Sequence, residues 1–279
     1  MPELPEVEVV RRDLEREAVG KRVKAVDVPT MRSIRRHKTR KQFASRLQGV
    51  KVTGVERRGK YIICRLDTDD ALVIHLGMSG QLVRAKTSRT PTARHTHVVI
   101  TFTQGGQLRF VDPRTFGEMF VTELDELEKQ VHELNHLGID PLEHAMSWEE
   151  FGSLVRQKHT KLKPLLMDQK FLAGIGNVYS DEILFAAGLR WDRQSDSLSA
   201  QEVRRLYRGM VETLQDAVKY RGSSLADEQY VDLFGKPGEY QLHHKVYARE
   251  GEACRRCRHV IVRERYGGRS TFYCGACQV

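Results

Sequence analysis

CRRCRHVIVRERYGGRSTFYCGAC, residues 254–277, contains two Cys-x-x-Cys pairs that are separated by sixteen residues. Two such pairs can present four thiolates in the tetrahedral arrangement that zinc prefers. Gly267-Gly268 between them predicts the turn of a β-hairpin. Because sulfur fills all four positions, no coordination site is open for catalysis. The stretch therefore predicts one structural Zn²⁺ ion. The predicted ligands are Cys254, Cys257, Cys274 and Cys277.

The charge of the chain indicates a polyanionic partner. The sequence has 46 Lys and Arg against 37 Asp and Glu, which gives a formal net charge of +9. Residues 21–60 hold fourteen basic and two acidic side chains, whereas residues 123–150 hold nine acidic and one basic. A solvated charged face is the ordinary reason for such runs, but a block as long and as basic as 21–60 favours nucleic acid or another polyanion.

The apolar runs of the sequence are too short for a membrane span. None approaches the roughly eighteen residues that a membrane helix needs, and the acidic N-terminus is unlike a secretory signal. We therefore expect a soluble intracellular protein with no membrane partner and with reduced cysteines, which disfavours disulfides in the tail. Cys64 lies alone in the apolar run Tyr61-Ile62-Ile63-Cys64 and is expected to be a small buried hydrophobe.

The order of the patterns predicts an α+β protein with three domains. Short strand-like runs between turn signals predict an N-terminal antiparallel β-sandwich, which an N-terminal helix covers. Helical periodicity follows from residue 148 onward. The strands are expected at 23–28, 50–55, 61–66, 71–76, 97–102, 108–111 and 118–121, and the helices at 148–157, 163–167, 178–187 and 201–220. The predicted boundaries are 1–130 for the sandwich domain, 131–240 for the helical domain and 241–279 for the zinc finger.

The first residues, MPELPEVEVVRRDLE, predict a helix with a proline left ahead of it. Pro5 suits the first helical position, and apolar residues then recur at the spacing of one buried face. Acidic residues in a first turn complement the helix dipole, which is the ordinary explanation of Glu3 and Glu6. It does not explain why Pro2 directly follows the initiator methionine.

Six motifs, spread over the whole chain, resemble the formamidopyrimidine-DNA glycosylase family. They are PELPEVE at 2–8, RGKY at 58–61, HLGMSG at 75–80, DPRTFG at 112–117, GIGN at 174–177 and the four-cysteine tail. Each motif alone is weak, but six in the family's order are not. The resemblance implies a bifunctional DNA glycosylase and AP lyase of base excision repair, acting on oxidised purines such as 8-oxoguanine and formamidopyrimidines. It also implies that the helical domain is of the helix-two-turn-helix type.

The resemblance gives the proline ahead of the helix a chemical role. It implies that the initiator methionine is removed and that the secondary amine of Pro2 attacks C1′ of the damaged nucleotide to form a Schiff base. An α-amino group has an ordinary pKa of about 8, so part of it is free base near neutrality. Glu3 is implied as the general acid for sugar ring opening and Glu6 as a support that orients the amine. Lys60 is implied in β-elimination, and Arg269 in phosphate binding and δ-elimination.

The resemblance also implies a set of DNA contacts. A base inside a duplex must be flipped out to be reached, and a thioether, a guanidinium and a ring can fill the space that it leaves. Exposed amides at a helix start can hold a phosphate. The implied DNA-binding residues are Met78, His95, Arg114, Phe116, Lys158 and Asn177. His97, two residues further along the same strand, is an alternative to His95.

Other interpretations stay open at this level. An endonuclease VIII-like enzyme for oxidised pyrimidines shares the architecture, although Leu4 and the pair Arg114/Phe116 favour the purine branch. A non-catalytic damaged-DNA-binding zinc protein is the alternative from another class. The loop 223–230 and residues 242–245 differ from the family's usual pattern, which leaves the preferred lesion open. We expect a monomer that acts on duplex DNA in the bacterial cytoplasm.

Overall fold

The computed structural model describes residues 2–225 and 229–279, which form two compact units. The first unit consists of the chain up to Asn135 together with Tyr220–Glu239. The second consists of His136–Lys219 and Tyr240–Val279. None of the helices in these described parts has an apolar run long enough to cross a membrane. The chain therefore leaves the first unit, returns to it once and ends in the second.

Helix α1, Leu4–Ala18, opens the first unit as the sequence predicted. Glu3 is its N-cap residue and forms a capping box with Glu6 at the third helical position. Pro5 stands in the first turn, where its missing N–H is not needed by the helix. The apolar face of α1 is buried in the core of the unit. The N-terminus of the chain is thereby fixed at the start of a well-packed helix.

Two four-stranded antiparallel sheets confirm the predicted sandwich. The strands are β1 Val23–Asp27, β2 Val52–Arg58, β3 Tyr61–Leu66, β4 Asp70–His75, β5 Gln81–Ala85, β6 Thr96–Phe102, β7 Gln107–Val111 and β8 Glu118–Glu123. One sheet has the order β1-β6-β7-β5 and the other β2-β3-β4-β8. Apolar residues from both sheets and from α1 belong to a single buried cluster. The two sheets therefore share one core.

Several short elements of the first unit were not predicted. They are strand β5 and helices α2 Arg40–Leu47, α3 Leu127–Gln130 and α4 His132–Asn135. Helix α2 begins where Thr39 accepts a hydrogen bond from the backbone N–H of Gln42, and it buries only Phe43 and Leu47. Because only two buried apolar residues stand among its basic ones, the helix has too weak a hydrophobic periodicity to be predicted from the sequence.

The second unit contains the predicted helices and the zinc-finger hairpin. Its elements are α5 Trp148–Arg156, α6 Leu162–Met167, α7 Asn177–Ala187, α8 Ala200–Lys219, β9 Val262–Tyr266 and β10 Arg269–Tyr273. Helices α6 and α7 are joined by the turn that contains the GIGN motif, which confirms the helix-two-turn-helix element. Apolar residues of the finger pack on Phe185 of α7. The finger thus shares its small core with a helix.

Residues 220–239 belong to the first unit, whereas the predicted domain 131–240 placed them with the helices. The guanidinium of Arg221 bonds to the buried carboxylates of Asp13 in α1 and Asp232. The N–H of Arg84 in β5 donates to the carbonyl of Leu233 over 2.7 Å. These long-range bonds tie the segment to the sandwich. The boundaries 1–130, 131–240 and 241–279 therefore stay a proposal about sequence segments.

Candidate active site and nucleic-acid interface

The N-terminal residues of the first unit are held by a buried carboxylate. Glu6 Oε2 accepts from the backbone N–H of Glu3 over 2.8 Å, and Oε1 accepts from the N–H of Ser223 over 2.8 Å. Gly222 has φ +78°, and a Cβ there would lie 2.8 Å from Glu6, so only glycine permits this approach. Pro2, Glu3 and Glu6 are all buried. Glu6 therefore connects the residues next to Pro2 with the base of the loop 223–230.

Part of that loop lies outside the described residues. The prediction for 223–230 includes Ala226, Asp227 and Glu228, and the structure describes only the flanking residues. Ser224 Oγ donates to the carbonyl of Tyr230 over 2.6 Å and accepts from the N–H of Gly238 over 2.9 Å. The two ends of the loop are therefore held together at its base.

Lys60 lies in the turn between β2 and β3, where Arg58 pairs with Tyr61 and Gly59 has φ +57°. The fully buried guanidinium of Arg57 donates to Glu8 of α1 over 2.9 Å and to the carbonyl of Gly59 over 3.1 Å. Burial acts to raise the pKa of Glu8, but hydrogen bonds from arginines, Arg57 among them, hold it below its ordinary value. Arg57 therefore links the helix that carries the N-terminus to the turn that carries Lys60.

We predict that Glu8→Gln lowers the free energy of unfolding by about 3–5 kcal/mol, because it removes the carboxylate that faces the buried charge of Arg57. The pKa of Glu8 lies below its ordinary value of 4.5, so the loss is full at pH 7 and shrinks only as the pH falls below that value. Chemical denaturation at several pH values measures it. Glu56→Gln is the matched control, because Glu56 pairs with Arg65 at an exposed site and should cost less than about 1 kcal/mol. Equal losses in the two variants would contradict the prediction.

His75 is a candidate residue that the sequence placed only within the HLGMSG motif. Strand pairing places it opposite Tyr61, and the two ring centroids are 4.6 Å apart. Burial lowers the pKa of His75, and the nearby charge of Lys60 acts in the same direction. A neutral imidazole therefore lies beside Lys60 at neutral pH. The signal in the sequence was its position at the end of a strand within the HLGMSG motif.

The structure brings together the two turns that carry the predicted filling residues. Gly77, next to Met78, has φ +62°, and a Cβ on it would lie 2.6 Å from the backbone of Phe116. The carboxylate of buried Asp112 accepts from the N–H of Arg114 and from the N–H at position 117, which shapes the second turn. The Arg114 guanidinium lies 5.1 Å from the ring centroid of Phe116, which is half exposed. A guanidinium and a ring thus project from a rigid support.

The two candidate histidines, His95 just before strand β6 and His97 within it, differ in their surroundings. His97 is buried, its Nδ1 lies 2.7 Å from Thr30 Oγ1, and its Nε2 lies 2.8 Å from the carbonyl of Asp112. His95 is exposed and has φ +64°. Since both ring nitrogens of His97 face partners in the unit, the geometry favours His95 for a DNA contact, and this assignment stays a prediction.

In the second unit the GIGN turn presents the start of α7. The side chain of Gln169 braces this turn, since it donates to the carbonyl of Ile175 and accepts from the N–H of Gly174. Asn177 Oδ1 is buried and has no hydrogen-bond partner among the described residues. Lys158 is exposed in the segment between α5 and α6. The backbone amides of a helix start, an amide side chain and a lysine are groups that can bind phosphate.

The four predicted zinc ligands converge in the second unit. Their Sγ atoms all lie within 4.8 Å of one another, with 3.9 Å between Cys254 and Cys277 and 3.4 Å between Cys257 and Cys274. Zinc–sulfur bonds of about 2.3 Å in a tetrahedron place the sulfurs about 3.8 Å apart. The thiols therefore fit one zinc ion. Burial raises the pKa of the remaining thiol, Cys64, to about 12, in keeping with a core residue.

Acidic residues of α7 hold the finger in place. Asp181 Oδ2 accepts from the N–H of Phe272 over 2.9 Å, and Glu182 accepts from three backbone N–H groups at 245–247. Buried Lys163 donates to Thr271 Oγ1 and to the carbonyl of Ser270, and lies 2.7 Å from Asp181. These roles were not predicted from the sequence, although two acids within the apolar helix NVYSDEILFAA were a signal. Arg269, whose side chain is exposed, directly precedes this anchored segment, which starts at Ser270.

The sandwich, the helix-two-turn-helix element and the four-thiol finger define a zinc-bearing, DNA-binding class of protein, and comparisons agree. The chain matches the N-terminal domain of formamidopyrimidine-DNA glycosylase over residues 1–119 and the H2TH domain of the same enzyme over 137–229. Residues 251–279 match the zinc finger found in FPG and IleRS. The chain is 41% identical over 280 residues to the formamidopyrimidine-DNA glycosylase of Heliobacterium modesticaldum, with 100% of each chain covered. It belongs to the formamidopyrimidine-DNA glycosylase family.

Further relatives agree in sequence and structure. The formamidopyrimidine-DNA glycosylase of Pelotomaculum thermopropionicum is 39% identical over 278 residues, with 100% of this chain and 99% of that protein covered. The MutM (Fpg) protein of Thermus thermophilus superposes with a TM-score of 0.86 at 35% identity, covering 99% of this chain and 98% of that one. Lactococcus lactis Fpg, in a complex with DNA that contains an abasic site, superposes with a TM-score of 0.88 at 32% identity and 99% coverage of both chains.

Proposed function

We propose that this protein is a DNA glycosylase and AP lyase of base excision repair that removes oxidised purines through an N-terminal proline Schiff base. The observation that carries the proposal is the pair of buried carboxylates beside Pro2, with Glu6 bound to the N–H groups of Glu3 and Ser223. A protein that only bound DNA would need no such arrangement. Family membership and the relative in complex with abasic-site DNA support the same conclusion.

The reaction begins with the free amine of Pro2. Its nitrogen bonds to C1′ of the damaged nucleotide, the glycosidic bond breaks, and the bonding electrons leave with the base. The nitrogen gives up its N–H proton, and the departing base takes up a proton, so the nitrogen regains a lone pair. Glu3 donates a proton to the sugar ring oxygen, so the ring opens and the nitrogen lone pair forms an iminium. Loss of a C2′ proton then expels the 3′ phosphate by β-elimination. Loss of the C4′ proton then expels the 5′ phosphate by δ-elimination, and water releases the sugar fragment from Pro2.

Positively charged residues are assigned to the phosphates. Lys60, fixed in its turn through Arg57 and Gly59, contacts the backbone near the lesion and assists β-elimination. The neutral ring of His75 adds no repulsion to this cation. Arg269 at the start of β10 binds the lesion phosphate and assists δ-elimination. One cation for each elimination fits the chemistry, because each elimination expels a phosphate whose negative charge needs stabilisation.

The remaining residues are assigned to the duplex. Flipping a nucleotide costs a few kcal/mol of stacking and pairing. Met78, Arg114 and Phe116 fill the vacated space, which offsets part of that cost. Lys158 and Asn177 bind the backbone, and His95 adds a contact from the sandwich. We further propose that one chain acts as a monomer in the bacterial cytoplasm, since a single chain carries all of these groups and its relatives are bacterial.

A panel of damaged duplexes tests the substrate class. We expect the chain to excise 8-oxoguanine opposite cytosine at least about tenfold faster than thymine glycol, since a site built for one base's hydrogen bonds rejects another. Single-turnover cutting of matched duplexes with one lesion each measures the rates, and an undamaged duplex is the control. A preference for thymine glycol would assign the chain to the endonuclease VIII-like activity. Tight binding of all damaged duplexes without cutting would indicate the non-catalytic binder.

A further inference from the structure

The tip of the zinc-finger hairpin is built from residues with large backbone freedom. Tyr266 and Arg269 form the last pair of the β9–β10 ladder, and the turn between them consists of Gly267 and Gly268 with φ +55° and +78°. Glycine has the largest backbone freedom of all residues, so ordering this turn costs the most entropy. The bonds from Lys163 and Asp181 begin only at residue 270. Apart from the ladder pair itself, a contact at residues 266–269 would lower the entropy cost of ordering the tip.

Tyr266 provides such a contact. Its ring centroid lies 4.9 Å from that of Trp191, with an interplanar angle of 49°. Lys161 Nζ lies 4.7 Å from the centroid of Tyr266 and 5.1 Å from that of Trp191. A cation at these distances from two rings is attracted by both π-systems. We call Lys161, Trp191 and Tyr266 the aromatic clamp.

Trp191 and Lys161, the clamp residues outside the hairpin, are held in the helical part of the second unit. Trp191 is only 6% exposed, and its carbonyl accepts from the N–H of Lys163 over 3.0 Å. Lys161, the N-cap residue of α6, forms an isolated β-bridge with Gln194. Trp191 Nε1 has no hydrogen-bond partner within the described residues, so packing and the contact with Lys161 orient the indole. Tyr266 therefore rests on a rigid support.

We propose that the aromatic clamp positions Arg269 for the lesion phosphate by fixing the hairpin tip against helix α6 and Trp191. The proposal rests on the proposed function for the role of Arg269. Tyr266 is a positioning residue, since its ladder partner Arg269 carries the charge. Ordering the tip before DNA binds removes an entropy cost from the bound state, which raises affinity without a new contact.

Hydrogen exchange tests the clamp without DNA. In Tyr266→Ala, peptides covering 266–270 should exchange severalfold faster than in the wild type, whereas Tyr266→Phe, which keeps the ring, should match the wild type. Val262→Ala is the matched control, because Val262 is equally exposed, at 40%, and lies at the other end of β9. Zinc content confirms that each finger is intact. Unchanged exchange in Tyr266→Ala would overturn the proposal.

Binding to a duplex with a tetrahydrofuran abasic analogue tests the action through Arg269. Tyr266→Ala should weaken binding roughly three- to tenfold. It should also reduce the slope of log K against log salt concentration towards the slope of Arg269→Ala, a variant that loses about one phosphate contact. In the Arg269→Ala background, Tyr266→Ala should have no further effect. Losses that multiply would mean that Tyr266 contacts DNA itself, which overturns the proposal. If Arg269→Ala binds DNA as the wild type does while Tyr266→Ala exchanges faster, the clamp orders the tip but Arg269 does not bind the phosphate. That result would refute the role that the proposed function gives to Arg269.

Discussion

A chain in which the amine of Pro2 is blocked is expected to bind abasic-site DNA and to cut none of it. Pro2→Gln places a large residue after the initiator methionine, which is then retained, so the reacting nitrogen is lost from its position. Because the amine is the nucleophile, strand cutting should fall more than about a thousandfold. Single-turnover gel assays on an abasic-site duplex measure the cutting, and a filter or fluorescence titration measures the binding.

Pro5→Ala is the matched control for that variant. Pro5 lies three residues after Pro2, in the first turn of α1, and its backbone nitrogen is an amide within the chain. Alanine suits a helix, so α1 should form and cutting should stay within about twofold of the wild type. Full cutting by Pro2→Gln with Met1 retained, verified by intact mass, would contradict the assignment of the nucleophile.

Removal of zinc is expected to give the second large effect. Four-thiolate zinc sites contribute about 10–16 kcal/mol of binding free energy that also folds the surrounding chain. Without the ion, the hairpin β9–β10 should lose its order, and Arg269 its position. Because a hydrogen bond to a charged group contributes about 1.5–3 kcal/mol, affinity for abasic-site DNA should fall roughly ten- to a hundredfold or more. Cys257→Ser and chelation both test this.

Cys64→Ala is the control for the zinc ligands. Cys64 is a buried thiol of the sandwich, so its loss should leave one zinc per chain and an unchanged affinity. Metal analysis together with the same binding titration compares the two variants. A Cys257→Ser chain that contains no zinc and still binds with wild-type affinity would contradict the role of the finger.

Local patterns predicted most of the fold. The thiol spacing at 254–277 predicted the finger, and alternating runs predicted seven of the eight sandwich strands, because burial on one face leaves a period of two in the sequence. Strand β5 escaped, since QLVRA buries only Leu82 and Ala85. The return of 220–239 to the sandwich depends on long-range partners such as Asp13 and Arg221, for which no local pattern exists.

The residues of the candidate site also divide into those that local sequence patterns predicted and those that depend on long-range partners. Pro2, Glu3, Lys60 and the cysteines stood out because their motifs are compact in sequence. The supports did not, since Arg57 acts through Glu8, 49 residues away. Buried charge pairs of this kind look like ordinary surface charges until the fold brings them together.

Arg258 directly follows the first Cys-x-x-Cys pair, and its φ is +69°. That region of backbone space favours glycine, so the arginine is strained there. The sequence did not predict this backbone conformation.

Borohydride trapping on a duplex with 8-oxoguanine opposite cytosine, followed by mass spectrometry of the crosslinked peptide, tests the central claim most directly. Borohydride reduces the Schiff base to a stable amine, so the adduct marks the atom that attacked C1′. We predict an adduct on the nitrogen of Pro2 in a chain that has lost Met1. An adduct on a lysine, or none on this duplex and none on an abasic-site duplex, would contradict the account.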